Sequence, residues 1–328
     1  MIGFLDGVTV LDLSSVGPAA RASRWLADYG AAVVKVGPKD PALQIEPPAH
    51  AYSGLRGMDR VRFDLKDAAE REAFLDLAAT ADVVIESFRP GVVSKLGIGF
   101  EDVKARNPAV VYCSTSGYGQ DGPRAQWAGH DLNYLAVGGY LAMTQPRADG
   151  GPPIPGTTVA DSAGGGMHAV MAILAALVAR ARTGEGAYLD VSVADGVLAL
   201  MTLHVDEYLA TGATPHNVLT GRYACYDTYE AADGRWLAVA AIEPRFWANL
   251  CRLVGVEQWL DRQTDDAVQD EIRADLQTAF ATKGRDDWVA LLSGADTCVS
   301  PVLSLGEVAA DARVDQGSLA PILAGTIR

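Results

Sequence analysis

"VTVLDLSSVGPAARASRWLADYGAAVVKV", residues 8–36, is the stretch whose reading decides the fold class. A short run rich in β-branched residues (8–13) leads through the loop "SSVGP" into a stretch of helical character, and then into a second apolar run, "AVVKV" (32–36). Strand, loop, helix and strand in that order open a parallel unit. The alternation continues outward through "VRFDL" (61–65), a charged helix "KDAAEREAFLDLAATA" (66–81), "DVVIESF" (82–88), a short helical piece near "PGVVSKLG", and "AVVYCSTSG" (109–117). Apolar strands alternating with helices predict an α/β fold whose parallel sheet is covered on both faces. Ligands of such sheets bind beyond the carboxyl ends of the strands, which nominates three loops: "SSVGP", "ESFRPG" and "STSGYGQDGP".

Residues 161–182, "DSAGGGMHAVMAILAALVARAR", form the clearest long helix, apolar nearly all round and therefore expected to be buried, with Asp161 at its N-terminal end. From about residue 187 the texture changes. "RYACYDTYEAADGRWLAVAAI" predicts a hairpin closed across "AADG", and "EPRFWANLCRLVG" follows, with Pro244 suited to the first helical position and Glu243 just before it. Helices at about 265–281 and 285–293 and a strand-like 297–305 complete a second, α+β domain over 187–304.

The 328 residues are 49% hydrophobic and 21% charged, enough for two domains with real cores. A net charge of -14 argues against a nucleic-acid partner, because phosphate neutralisation needs a surplus of Lys and Arg. Four scattered cysteines, Cys113, Cys225, Cys251 and Cys298, fit neither a disulfide scaffold nor a zinc site and suit a reducing cytoplasm. The N-terminus lacks a basic segment before an apolar run, and no uncharged apolar stretch is expected to cross a bilayer.

Several chemistries are excluded by what the motifs lack. "SSVGPAARAS" supplies one glycine and then proline where a dinucleotide fold needs GxGxxG. No GxxxxGK[ST] or GxSxG occurs, and the five histidines, His50, His130, His168, His204 and His216, show no metal-ligand spacing. His168, within the long apolar helix, reads as a hydrogen-bonded core histidine. His130, in "AGHDLNY" after a turn-rich loop, reads equally as a structural side chain or a base. Asp161 reads as a helix N-cap, although Gly164, Gly165 and Gly166 in the first turns weaken the helix in a way that suits close approach to its backbone. Free amides there offer an oxyanion site.

In combination, "DLSSVGPAARASRWLADYGAAVVKV", "DVVIESFRPGVVSKLGIGFEDVKARNPAVVYCSTSGYGQDGP", "GHDLNY", "VADSAGGGMHAVMAILAALVARARTGEGAYLDVSVADGVLALM" and "AIEPRFWANL" resemble the family III CoA-transferases (CaiB/BaiF), and within them the α-methylacyl-CoA racemase branch. The likeness runs from about residue 3 to "CVSPVLSLGEV". It implies an interlocked homodimer with shared active sites. A large Rossmann-like domain (1–186) is completed by the C-terminal tail (305–328), and the smaller domain (187–304) closes the neighbour's site. It implies an acyl-CoA thioester substrate, no separate cofactor, no metal and no membrane partner. The catalytic His falls on His130, the catalytic Asp on Asp161 and a supporting Glu on Glu243. CoA contacts fall on Val16, Gly17, Arg56, Ser87 and Arg89, with Arg60 and Arg62 as further phosphate partners. Thr157, four residues before Asp161, stands where racemases tend to carry Asn. Racemisation needs an acid/base group on each side of the α-carbon, which His130 and Asp161 supply. Transfer of CoA between carboxylic acids needs only the Asp nucleophile and is the alternative activity. A CoA-binding subunit without chemistry of its own is the second alternative.

Overall fold

A computed structural model of the chain describes residues 3–45, 57–144 and 146–310. Among them two compact units separate between Leu203 and His204.

The first unit is built on six strands: β1 (Thr9–Asp12), β2 (Ala32–Pro38), β3 (Met58–Phe63), β4 (Val83–Glu86), β5 (Val111–Ser116) and β6 (Ala187–Ser192). All pair in parallel in the order β3-β2-β1-β4-β5-β6. This is the doubly wound order, with its switch point between β1 and β4. Alternate strand residues sort to two faces. Val10, Val33, Val83, Ile85, Val111 and Cys113 pack under helices on one side, while Leu11, Val36, Val84 and Tyr112 form a second core on the other. The helices follow in chain order: α1 (Gly17–Asp28), α2 (Ala68–Ala78), α3 (Val92–Leu96), α4 (Phe100–Lys104), α5 (Asp131–Val137), α6 (Tyr140–Met143), α7 (His168–Thr183) and α8 (Val193–Leu200). A π-helical segment, Ala160–Met167, leads into α7 without a break.

Two expectations change here. The strand after residue 186 belongs to the first unit, so the division falls at 203/204 instead of 186/187. As an edge strand, β6 exposes every second residue of its first half and lacks the continuous apolar run of the inner strands. Of the tail expected to complete this unit, residues 305–310 stay with the second unit, where Glu307 pairs with Arg285; residues 311–328 lie outside the described residues.

The long helix also differs. Only Ala169, Val170, Ile173 and Ala176 of α7 are buried, whereas Met167, Met171 and Val178 are exposed. At 24 residues, Ala160–Thr183 is long and apolar enough to cross a bilayer, contrary to the expectation that no stretch is. Its buried stripe and the Arg180–Asp82 ion pair (2.7 Å) lay it against the sheet.

Gly164, Gly165 and Gly166 make room for helices, not for a ligand. A Cβ on Gly165 would come 2.5 Å from Pro18 Cβ, one on Gly166 3.1 Å from Arg21 Cβ, and one on Gly164 3.0 Å from the Val193 carbonyl. From the facing helix, a Cβ on Gly196 would overlap the Gly164 carbonyl oxygen outright. Gly196→Ala is therefore expected to destabilise by about 3 kcal/mol, lowering Tm by roughly 10 °C in thermal unfolding followed by circular dichroism. An unchanged Tm would contradict this packing.

The second unit pairs β7 (Tyr226–Glu230), β8 (Trp236–Ala240) and β9 (Val299–Pro301) antiparallel, with the expected hairpin across "AADG". A helix α9 (Thr202–Thr211) runs over the division; α10 (Pro244–Val254), α11 (Gln269–Phe280), α12 (Arg285–Leu292) and α13 (Leu305–Ala309) follow. Its core gathers Trp247, Leu250, Cys251, Phe280 and Trp288. Pro244 occupies the first turn of α10, as its fixed φ favours.

Candidate active site

At the switch point the three nominated loops converge on one cleft of about 460 Å³. Its wall is formed by Val16, Gly17 and Pro18 at the start of α1, Ser87 to Pro90 after β4, Thr115 to Gly117 at the end of β5, and Trp127 to His130. Asp161 and Tyr134 complete it. A second cleft of about 550 Å³ lies over the ends of β2 and β3, between Leu13, Gly37, Lys39, Phe63 and Lys66, and Phe88 lines both.

Of the residues expected to form the site, Val16, Gly17, Ser87, Arg89, His130 and Asp161 share the first cleft. Arg56 lies outside the described residues. Glu243 belongs to the second unit, where it precedes α10 and its side chain makes no cap hydrogen bond. Arg62 donates to the Pro38 carbonyl (2.9 Å), bracing β2. Gly17 adopts φ +75°, and a Cβ there would stand 4.0 Å from Asp161 Oδ2, so glycine serves both the turn and the space above the carboxylate.

His130 is the N-cap residue of α5, with extended backbone. Its N–H donates to Asn133 Oδ1 (3.0 Å), so the amide is satisfied locally, while the imidazole is exposed and has no hydrogen-bond partner among the described residues. The preceding loop is held by aromatic packing. The Tyr118 ring meets Tyr134 at 5.2 Å and Trp127 at 5.8 Å, and Tyr134 donates its hydroxyl to the Gly129 carbonyl (2.5 Å).

Asp161 is the second residue of the π-helical segment, not its N-cap. Its N–H donates to Asp131 Oδ1 (2.8 Å), and the Ser162 N–H goes to the Thr158 carbonyl (3.0 Å). These amides are thus committed, and the expectation that the first amides of this helix cradle an oxyanion is corrected. The half-buried carboxyl group has its pKa raised, first by burial and then by the Asp131 charge, while Arg21 and His130 pull it down. His168 is corrected as well: its Nδ1 is buried without a partner among the described residues.

Charged groups inside the strands escaped the sequence reading. Asp12 and Lys35, opposite each other in the β1/β2 register, form a buried ion pair (2.6 Å), and Asp12 also accepts the Ser14 N–H (2.7 Å), shaping the first loop. Glu86, buried at the end of β4, accepts the Phe88 N–H (2.7 Å) and so fixes the loop carrying Ser87 and Arg89. Burial pushes its pKa up to about 7, with Ser114 and the Phe88 N–H opposing. The stability this group contributes is full below its ordinary value near 4.3 and is lost as pH rises through about 7. Glu86→Gln is accordingly expected to be the more stable form at pH 8.5, by roughly 3 kcal/mol, and to lose that advantage at pH 4, in denaturant titrations. A difference that does not vary with pH would contradict this.

The model of CoA-transferase family III matches residues 5–321. The chain is 35% identical over 311 residues to human alpha-methylacyl-CoA racemase, covering 93% of this chain and 79% of the relative. It is 31% identical to acetyl-CoA:oxalate CoA-transferase of Acetobacter aceti, covering 94% and 82%. The crystal structure of a CAIB/BAIF family protein from Brucella suis superposes with a TM-score of 0.80 at 30% identity, covering 95% and 87%.

Proposed function

The chain belongs to CoA-transferase family III, and on that premise we propose that it is a 2-methylacyl-CoA racemase. The observation that carries this reading is the presence of His130 and Asp161 on one cleft. One of them removes the α-proton of the thioester, leaving an enolate, and the other returns a proton to the opposite face; the acid formed in one direction is the donor in the other. The proposed reaction needs no separate cofactor, because the thioester itself makes the α-proton acidic. The CoA moiety is proposed to run across the strand ends. Arg89, exposed and without an ion-pair or hydrogen-bond partner for its guanidinium among the described residues, offers its charge in the first cleft. Lys66 offers its charge in the second, where Lys39 is ion-paired with Glu70, and Arg56 is a further proposed phosphate contact.

Glu243 is proposed to hydrogen-bond His130 from the partner subunit of a homodimer, fixing the imidazole tautomer. The apolar side chains exposed on α7, α8 and α9, Met171, Val178, Leu198, Leu203 and Leu209, support association with a second copy. Four free cysteines, three of them buried, suit a cytoplasmic location.

CoA transfer through an acyl adduct on Asp161 is the second reading, favoured by the transferase relatives at comparable identity. The experiment separating the two supplies one enantiomer of a 2-methylacyl-CoA without any acceptor acid. Loss of enantiomeric excess is the expected result. Hydroxylamine trapping of an acyl group on Asp161, with the excess retained, would establish transfer instead.

A further inference from the structure

Two residues outside the proposed catalytic set converge on the backbone that carries Asp161. From α5, Asp131 reaches across to accept the Asp161 N–H at 2.8 Å. From α1, Arg21 donates Nη2 to Thr158 Oγ1 at 2.6 Å, three residues before Asp161, and its Cβ abuts Gly166 one turn later. The segment between these anchors is π-helical, a rare winding, and the backbone bond from the Ser162 N–H to the Thr158 carbonyl joins the two side-chain anchors in its first turn. Asp131 is also the residue after His130, so a single bond from the start of α5 sets the spacing between the two cleft groups.

We propose that Asp131 and Arg21 are positioning residues for Asp161: one holds its backbone, the other braces the turn before it, and their opposite charges act on its carboxylate from two sides. This deepens the reading of Asp161 as one of the two proton-transfer groups of the cleft and rests on it. The charged or titratable groups that act on Asp161 are Arg21 from α1 and His130, Asp131 and Tyr134 from α5. Helix α8 packs on the same segment through Val193, Gly196 and Val197, none of them charged. The Asp131 charge raises the Asp161 pKa and the Arg21 charge lowers it, which fits this arrangement.

The test uses full-length protein with carboxyl-13C aspartate, the Asp161 resonance being assigned by its absence in Asp161→Asn. Asp131→Asn keeps an acceptor oxygen but removes the charge, so the Asp161 midpoint is expected to fall by roughly one pH unit. Arg21→Gln is expected to raise it by a similar amount, and Arg21→Lys to restore it. The acid limb of kcat/KM follows the same two directions. Midpoints that stay put, or that move in the same direction in both variants, overturn the proposal. Because the titration needs no turnover, it is distinguishable from failure of the functional reading, which appears separately as full activity in Asp161→Asn.

Discussion

His130→Ala is expected to lower the rate of inversion of either 2-methylacyl-CoA enantiomer by about a thousandfold, the scale of losing one positioned acid/base group. The fold should be untouched, because the imidazole makes no hydrogen bond among the described residues and the His130 backbone N–H, which alanine keeps, donates to Asn133 Oδ1. KM should change little. Exchange of the α-proton with solvent deuterium should survive, if at all, only for the enantiomer whose α-proton faces Asp161. A transferase using Asp161 alone predicts near-normal turnover in the same variant, so the result separates the two activities and not merely active from inactive protein.

Asp161→Asn carries the second large expected effect, again about a thousandfold or more on inversion. Asparagine keeps the shape of the side chain and the N–H bonded to Asp131, so the half-buried site is expected to stay formed. The residual exchange should now be confined to the enantiomer opposite to the one that survives in His130→Ala. This mirror relation is the signature of two groups on two faces. Residual exchange of the same enantiomer in both variants would place His130 and Asp161 on one face and defeat the two-base reading.

The parallel sheet was legible in residues 8–36 because β1 and β2 are buried on both faces, so their sequences are nearly unbroken apolar runs. The edge strand β6 was not, since its half-exposed pattern resembles that of an antiparallel domain. The three crevice loops named from the sequence do meet at one cleft, and Val16, Gly17, Ser87, Arg89 and His130 line it. Asp161 was placed at the right helix end but given the wrong local role: a cap reading follows from position alone, whereas a π-helical start and a carboxylate supplied from residue 131 depend on contacts thirty positions apart. The glycines at 164–166 showed that something approaches the backbone. Only the packing of Pro18, Arg21 and Val193 shows that it is protein. Asp12, Lys35 and Glu86 carried a signal that went unused: a charge inside an apolar strand must find a partner or be neutralised, and Asp12 and Lys35 pair while burial makes Glu86 hold its proton more tightly.

The central claim is that the cleft moves a proton on and off the α-carbon of an acyl-CoA. It is tested most directly by incubating the unmodified protein in D2O with a panel of 2-methylacyl-CoA thioesters, no acceptor acid present, and measuring the mass and configuration of the recovered thioester. The account predicts one deuterium at Cα, gained together with inversion. Recovery of every panel member unlabelled and with its configuration intact would contradict it.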